Sequence, residues 1–235
     1  MELLALSIAP GIAICLFVYL KDKQSKEPVW LLLVSFLLGM LSTIPAVFIQ
    51  MLSGISLESL AGKGYQQKAF FAFAVVGLSE ELSKFVMIRL YAYRKKAFDD
   101  PFDGIVYAVM VGMGFATLEN IGYVYQHGFA TGVMRIFLSV PAHATFAVLM
   151  GYFLGLAKFN SGKRSWYMLQ AIFWPVFFHG TFDFFLFVGN SWMHVGGALA
   201  SFFVAIQLSK RAIRKHTALS SANFNQFNEN ELIDN

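Results

Sequence analysis

The chain has 235 residues, of which 57% are hydrophobic, 17% aromatic and only 14% charged. Soluble domains carry roughly 25% charged residues, so this chain lacks the polar surface to coat a globule of its length, and it belongs in lipid. The formal net charge of +4 does not mark a nucleic-acid binder, because the basic residues gather at the edges of apolar segments, and the single cysteine, Cys15, excludes both an intramolecular disulfide and a cysteine-rich zinc module.

A helix needs about 20 mostly apolar residues to cross a hydrocarbon core about 30 Å thick. Seven segments meet that requirement in chain order, which predicts an all-α, polytopic transmembrane helix bundle. The first, Leu3–Leu20, follows Met1-Glu2 with no basic start and no small-residue cleavage pattern before Lys21, so it reads as a retained span and not a signal peptide. The second is Val29–Leu52, followed by a stretch of mixed polarity, Ser53–Lys68, that suits an interfacial turn of helix. The third is Ala69–Ile88. Asp99 and Asp100 read as a solvated loop, and Asp103 as the cap on the first turn of the fourth span, Gly104–Tyr125. The fifth is Val133–Ala157, the sixth Trp166–Val188, and the seventh and shortest Trp192–Leu208. Residues 209–235 turn basic and then, after His216, rich in Ser, Asn and Gln without apolar periodicity, as in a disordered cytoplasmic tail. His127, His194 and His216 lie at span ends or in that tail and read as solvated.

Lys and Arg near helix ends resist translocation and set the orientation. With the N-terminus outside and the C-terminus in the cytoplasm, the inner loops hold Lys21, Lys23 and Lys26, then Arg89, Arg94, Lys95 and Lys96, then Lys158, Lys163 and Arg164, then Lys210, Arg211, Arg214 and Lys215. These are most of the 18 basic residues; Lys63, Lys68 and Arg135 fall outside or at an outer span end.

Ionisable groups at bilayer depth cost roughly 2.5–3.5 kcal/mol each, so they face a protein interior and do something there. This chain has Glu80, Glu81 and Lys84 on the third span, Glu119 on the fourth, His143 on the fifth, and His179 with Asp183 on the sixth. Residues three or four apart share a helix face whereas neighbours diverge, so Lys84 can neutralise one of the two adjacent glutamates while the other faces a reaction centre. His179 and Asp183, also four apart, suit two ligands on one face or an imidazole oriented by a carboxylate. Counted at 1.5 Å per residue from the outer span ends, Glu80, His143 and His179 lie about 14–17 Å deep, Glu119 and Asp183 about 8–9 Å, and Lys84 about 23 Å. Four carboxylates against one ammonium leave a charge deficit that a bound divalent cation, protonated carboxyls, or both must relieve. Pro141 and Pro175 are expected to break their helices nearby and open a way for water or an extended peptide. The small residues Gly112, Gly114, Gly151 and Gly155 suit close helix packing.

Glu80-Glu81-Leu82-Ser83-Lys84 matches an EExxK motif, Phe115 to Asn120 resembles FxxxEN, and His179 to Asp183 matches HxxxD. In this order on successive spans they resemble the PrsW family of intramembrane proteases, relatives of the CAAX-prenyl proteases, over about residues 1–208. The resemblance extends to Asp103-Gly104-Ile105-Val106-Tyr107, Pro141-Ala142-His143 and Gly151-Tyr152. It implies a multi-pass endopeptidase of the bacterial cytoplasmic membrane that makes the first cut in a single-pass membrane protein such as an anti-sigma factor, near the extracytoplasmic face. The same resemblance implies Glu80, Glu81, Glu119, His143, His179 and Asp183 as the catalytic set, with Lys84 supporting.

Two chemistries fit. In one, His143, His179 and a carboxylate from Glu119 or Asp183 hold zinc while a glutamate of the pair takes the proton of its water. In the other, metal-free, Glu80 or Glu81 deprotonates water directly and His143 or His179 stabilises the oxyanion. The rivals from other classes are a proton-coupled transporter, since Glu, His and Asp also build proton relays, and a non-catalytic membrane scaffold of the same superfamily. The expected partners are membrane lipid and a membrane-protein substrate, with no nucleic acid.

Overall fold

The structure, a computed structural model, describes residues 2–22, 26–56, 58–189 and 191–233, with side chains described as far as residue 221. Lys23, counted among the orienting residues, and the side chains of the polar stretch from residue 222 lie outside the described residues.

Helix α1 is Glu2–Lys21; α2 is Val29–Leu41 and α3 Thr43–Leu52. The joint between α2 and α3 is written in the sequence: Pro45 has no N–H to offer the Leu41 carbonyl. Ser42 and Thr43 compensate by donating their hydroxyls to the carbonyls of Gly39 and Met40 at 2.6 and 2.7 Å. The mixed-polarity stretch holds one short 3₁₀ turn, Glu58–Leu60, with Leu60 tucked into the protein. Next come α4, Tyr65–Phe70, a π-helical segment, Phe71–Gly77, and α5, Leu78–Leu90, joined as one helical path. The remaining helices are α6, Asp103–His127; α7, Phe129–Phe137; α8, Ser139–Phe159; α9, Arg164–Val188; and α10, Trp192–Ile233.

Among the described residues six stretches are long and apolar enough to cross a membrane: Leu3–Lys21, Val29–Leu52, Asp103–His127, Phe129–Phe159, Ser161–Val188 and Trp192–Ser221. The remaining expected span, Ala69–Ile88, lies within the helical path from Tyr65 to Leu90, which at about 1.5 Å per residue is also long enough, but the charges of that path at Lys68, Glu80, Glu81, Lys84 and Arg89 set it apart in composition. The chain is a multi-pass helical membrane protein.

Helix α6 is the axis of the bundle, buried at every residue from Asp103 to Thr117. Its glycines let other backbones touch it: a Cβ on Gly114 would run into the Phe36 carbonyl of α2, and one on Gly151 of α8 into the Gly104 carbonyl. Close backbone approach through small residues is how membrane helices gain packing where lipid supplies no hydrophobic drive.

Several expectations are corrected. Pro175 does not break α9, which runs unbroken from Arg164 to Val188; the ring removes one hydrogen bond, and neighbouring packing carries the helix past it. Pro141 does accompany a break as expected: it sits in the first turn of α8, where no partner for its N–H is needed, and the break lies just before it, at Leu138. Asp103 does not cap its own helix: its Oδ2 reaches back to accept the N–H groups of Asp99 and Asp100 at 2.9 and 2.6 Å. The seventh span does not end at Leu208, because Ala205, Ser209, Ala212, His216 and Ser220 recur every three or four residues and form a buried face that continues α10. His216 is accordingly not solvated but fully buried, its ring 4.4 Å from that of Tyr152. The basic ends gather on one side: Lys158 Nζ donates to the carbonyls of Tyr93 and Lys95 at 2.7 and 3.2 Å, and the Tyr107 hydroxyl donates to Glu27 Oε2 in the loop after α1.

Candidate active site

The site is assembled by α5, α6, α8 and α9, and its entry helix is unusual. The π-helical segment ahead of α5 lies against α9, where Gly77 comes close to the Gly180 backbone. Such wide turns concentrate at functional sites because they re-aim the residues that follow. Here those residues are Glu80 and Glu81, which face His179 of α9.

The i,i+3 spacing sets the first pair: Lys84 Nζ lies 2.7 Å from Glu81 Oε1, and 3.7 Å from Glu80 Oε2. The ammonium also sits 4.0 Å from the centre of the Phe115 ring on α6, whose face attracts a cation. Glu81 Oε1 meets His179 Nδ1 at 2.8 Å, so this fully buried carboxylate is committed to two partners. Glu80 is freer. Its Oε1 accepts only from Gln50 Nε2 of α3 at 3.3 Å, while the buried Oε2 has no hydrogen-bond partner and lies 3.9 Å from His179 Nε2.

His143 is held between two charges. Lys84 Nζ is 3.2 Å from its Nδ1, and an ammonium can only donate, so the ring proton sits on Nε2, which donates to Glu119 Oε2 at 2.9 Å. His179 Nε2 faces Asp183 Oδ2 at 3.3 Å, one turn along α9. The two imidazoles stand perpendicular with centroids 5.2 Å apart, and Phe146 stacks on His179 at 5.1 Å. Glu80, Glu81, His143 and His179 are each at most 5% exposed, whereas the Glu119 and Asp183 side chains are 21% and 15% exposed. The structure thus brings all six carboxylates and imidazoles and Lys84 together, with the shallower acids at the rim.

One member was not anticipated. Arg135, on the short helix α7, donates from Nη2 to Glu119 Oε2 at 2.6 Å and from Nε to Asn120 Oδ1 at 2.7 Å. Asn120 Nδ2 in turn donates to the Ser7 carbonyl of α1 at 3.3 Å. Arg135 lies near the end of a short helix, where an arginine ordinarily meets water, and its only sequence signal is an amphipathic stretch eight residues ahead of His143. Its presence narrows the charge deficit to four carboxylates against two fixed cations.

Glu80, His143 and His179 offer ligand atoms that all lie within 4.8 Å of one another. Two imidazoles and a carboxylate are a donor set of catalytic zinc sites. The bare, buried Glu80 Oε2 beside them is the oxygen a cation would satisfy, so these residues fit a divalent metal. Glu119 and Asp183, the carboxylates expected as ligands, flank this trio at its two edges.

A family model described as PrsW family intramembrane metalloprotease matches residues 27–209. The chain is 38% identical over 214 residues to a protein named Protease PrsW from Geobacillus kaustophilus strain HTA426, a match that covers 90% of this chain and 92% of that one. It is 37% identical to Protease PrsW of Bacillus subtilis strain 168, covering 82% and 86% of the two chains, and 32% identical to that of Clostridioides difficile strain 630, covering 82% of each. No solved structure matches the chain.

Proposed function

Because the chain belongs to the PrsW family of intramembrane metalloproteases, we propose that its buried Glu/His centre activates water to hydrolyse a peptide bond of a single-pass membrane protein. The cut falls near the extracytoplasmic face of the cytoplasmic membrane, as in first-step processing of an anti-sigma factor. The observation that carries this reading is the unequal state of the two adjacent glutamates: each keeps one buried oxygen without a hydrogen-bond partner, but Glu81 is locked through Oε1 to Lys84 and His179 at 2.7 and 2.8 Å, while Glu80 accepts only from Gln50 at 3.3 Å.

The roles divide accordingly. Glu81 holds the Nδ1 side of His179, which turns Nε2 toward Glu80 and Asp183. Glu119, steadied by Arg135, holds His143 by Nε2. Glu80 is the base that takes the proton of the attacking water, since a poorly solvated carboxylate with one long hydrogen bond, from Gln50 at 3.3 Å, is a strong acceptor. His179, flanked by Glu81 and Asp183, supplies the positive edge for the oxyanion that develops on the scissile carbonyl, since His143 already commits its one N–H to Glu119. Were a divalent ion held by Glu80, His143 and His179, it would supply carbonyl polarisation and a more acidic water, and Glu80 would then serve as its ligand in place of acting as the free base. The gathering of basic residues at the opposite end of the bundle supports an outward-facing site, with the N-terminus outside and the C-terminus in the cytoplasm.

The test is cleavage by Glu80→Ala and Glu81→Ala variants. Both insert into the membrane, and in both the fragments that wild-type cells produce near the outer membrane face are missing from the membrane proteome. If both cleave as wild type does, the protease assignment to this centre is lost. Metal content and activity of the purified protein decide the cofactor, since full activity after rigorous metal removal eliminates the zinc version.

A further inference from the structure

On the flank of the bundle formed by α8, α9 and α10 lies a cavity of about 310 Å³, open on one side. That volume stands at the lower end of ligand-sized sites, about 300–1,000 Å³. Its walls are apolar, supplied by Leu149, Phe153, Trp174, Phe178 and Leu208, and its floor includes the buried Ala212. Its lip is not apolar: Arg211 and Lys215, four residues apart on one face of α10, line the same cavity. The Lys215 ammonium stands 5.8 Å from the ring centre of Tyr152, which also lines it. Among the described residues neither cation is paired with a carboxylate.

A purely apolar groove on a membrane protein would accept any acyl chain. An apolar groove lined by two cations that no described carboxylate neutralises, at the end of the bundle where Lys210, Arg211, Arg214 and Lys215 cluster, selects a ligand with an apolar tail and an anionic head. A substrate helix is a poor fit, because its diameter of about 10 Å with side chains exceeds a pocket of this size. We propose that this cavity is a binding site for an anionic diacyl phospholipid of the leaflet at the basic end of the bundle. An acyl chain lies between Phe153, Trp174 and Leu208, and the head-group phosphate is held by Arg211 and Lys215. Guanidinium and ammonium groups both bind phosphate well, the former with two parallel hydrogen bonds, and basic pockets between membrane helices are where such heads bind. The site uses none of the side chains of the catalytic centre and stands independently of the proteolytic reading.

Native mass spectrometry of the full-length protein, delipidated in mild detergent and titrated with phosphatidylglycerol or phosphatidylethanolamine of the same acyl chains, tests it. The expected result is first-site binding about tenfold or more tighter for phosphatidylglycerol, as two cations at a head group each contribute several-fold. Arg211→Gln with Lys215→Gln abolishes that preference, whereas Lys210→Gln with Arg214→Gln, an equal loss of charge on neighbouring positions, keeps it. Ala212→Phe, which fills the floor, weakens both lipids, and keeps the test decisive if the double glutamine variant fails to fold. Equal affinity for the two lipids overturns the proposal. So does equal loss of preference in both glutamine pairs, which would mean surface charge alone, or full displacement of the lipid by millimolar inorganic phosphate, which would mean a simple anion site.

Discussion

Replacing Lys84 by Met removes the charge on which the centre is built while keeping a long side chain against Phe115. The ammonium lies 2.7 Å from Glu81, 3.2 Å from His143 and 3.7 Å from Glu80, and the Lys84 and Glu81 side chains are 3% and 1% exposed. Without it, Glu81 is a buried carboxylate whose only remaining partner is His179 Nδ1. Removing one member of a buried pair costs about 3–5 kcal/mol, because the other charge is left stranded. At 2–4 °C per kcal/mol for a chain of this length, Tm falls by roughly 6–20 °C. Adding Glu81→Gln removes the stranded charge, so the double variant recovers part of the loss, with a coupling of about 2–3 kcal/mol in the double-mutant cycle. The sole cysteine provides the assay: Cys15 is buried on α1, and its reaction with a fluorogenic maleimide on heating reports opening of the bundle. The reasoning is refuted if Lys84→Met melts within about 2 °C of wild type, or if the double variant is no more stable than Lys84→Met alone.

Arg135→Gln should lower the turnover number for substrate cleavage by about 10–100-fold, the usual effect of removing a group that orients an active-site ligand. Arg135→Lys should rescue little of that, because an ammonium cannot reproduce the two-pronged contact with Glu119 and Asn120; full activity in the lysine variant would remove Arg135 from the site. Gly114→Ala should destabilise the bundle by about 1–3 kcal/mol, since the new methyl meets the Phe36 carbonyl and must part α2 from α6; Cys15 protection measures this, and unchanged protection would contradict the close contact. Glu27, in the loop after α1, has its pKa pushed up to about 7 by burial, which outweighs the hydrogen bond from Tyr107. The folded protein then holds that proton more tightly than the unfolded chain does, so stability is full below the ordinary value of 4.5, falls as pH rises through the interval up to about 7, and is level above it. Tm measured across this range should slope downward in wild type and lose that component in Glu27→Gln.

Spans and the depth of charged groups were legible because both follow from helix rise and apolar run length. Counting put Glu80, His143 and His179 at one level and Glu119 and Asp183 nearer the surface, and in the structure the first three are buried together while the last two form the rim. What escaped detection depended on partners remote in sequence. Arg135 reads as an end-of-helix arginine until α7 folds back on α6. The continuation of α10 escaped because its buried face is made of Ala, Ser and His, which carry no apolar periodicity, and because the groove they fill is made by α8. Pro175 misled in the other direction: a proline breaks an isolated helix in water more readily than one enclosed by neighbours.

The composition of α5 also constrains how the protein is made. Glu80, Glu81 and Lys84 each oppose entry of an isolated helix into lipid by about 2.5–3.5 kcal/mol, so the newly synthesised segment from Tyr65 to Leu90 has little reason to leave the translocation channel alone. Its polar partners emerge late, His143 coming 59 residues after Lys84 and His179 98 residues after Glu81. The segment therefore completes its crossing only when α8 and α9 are available to receive it. A ribosome that stops short of α9 releases a chain with neither a finished topology nor an assembled Glu/His centre.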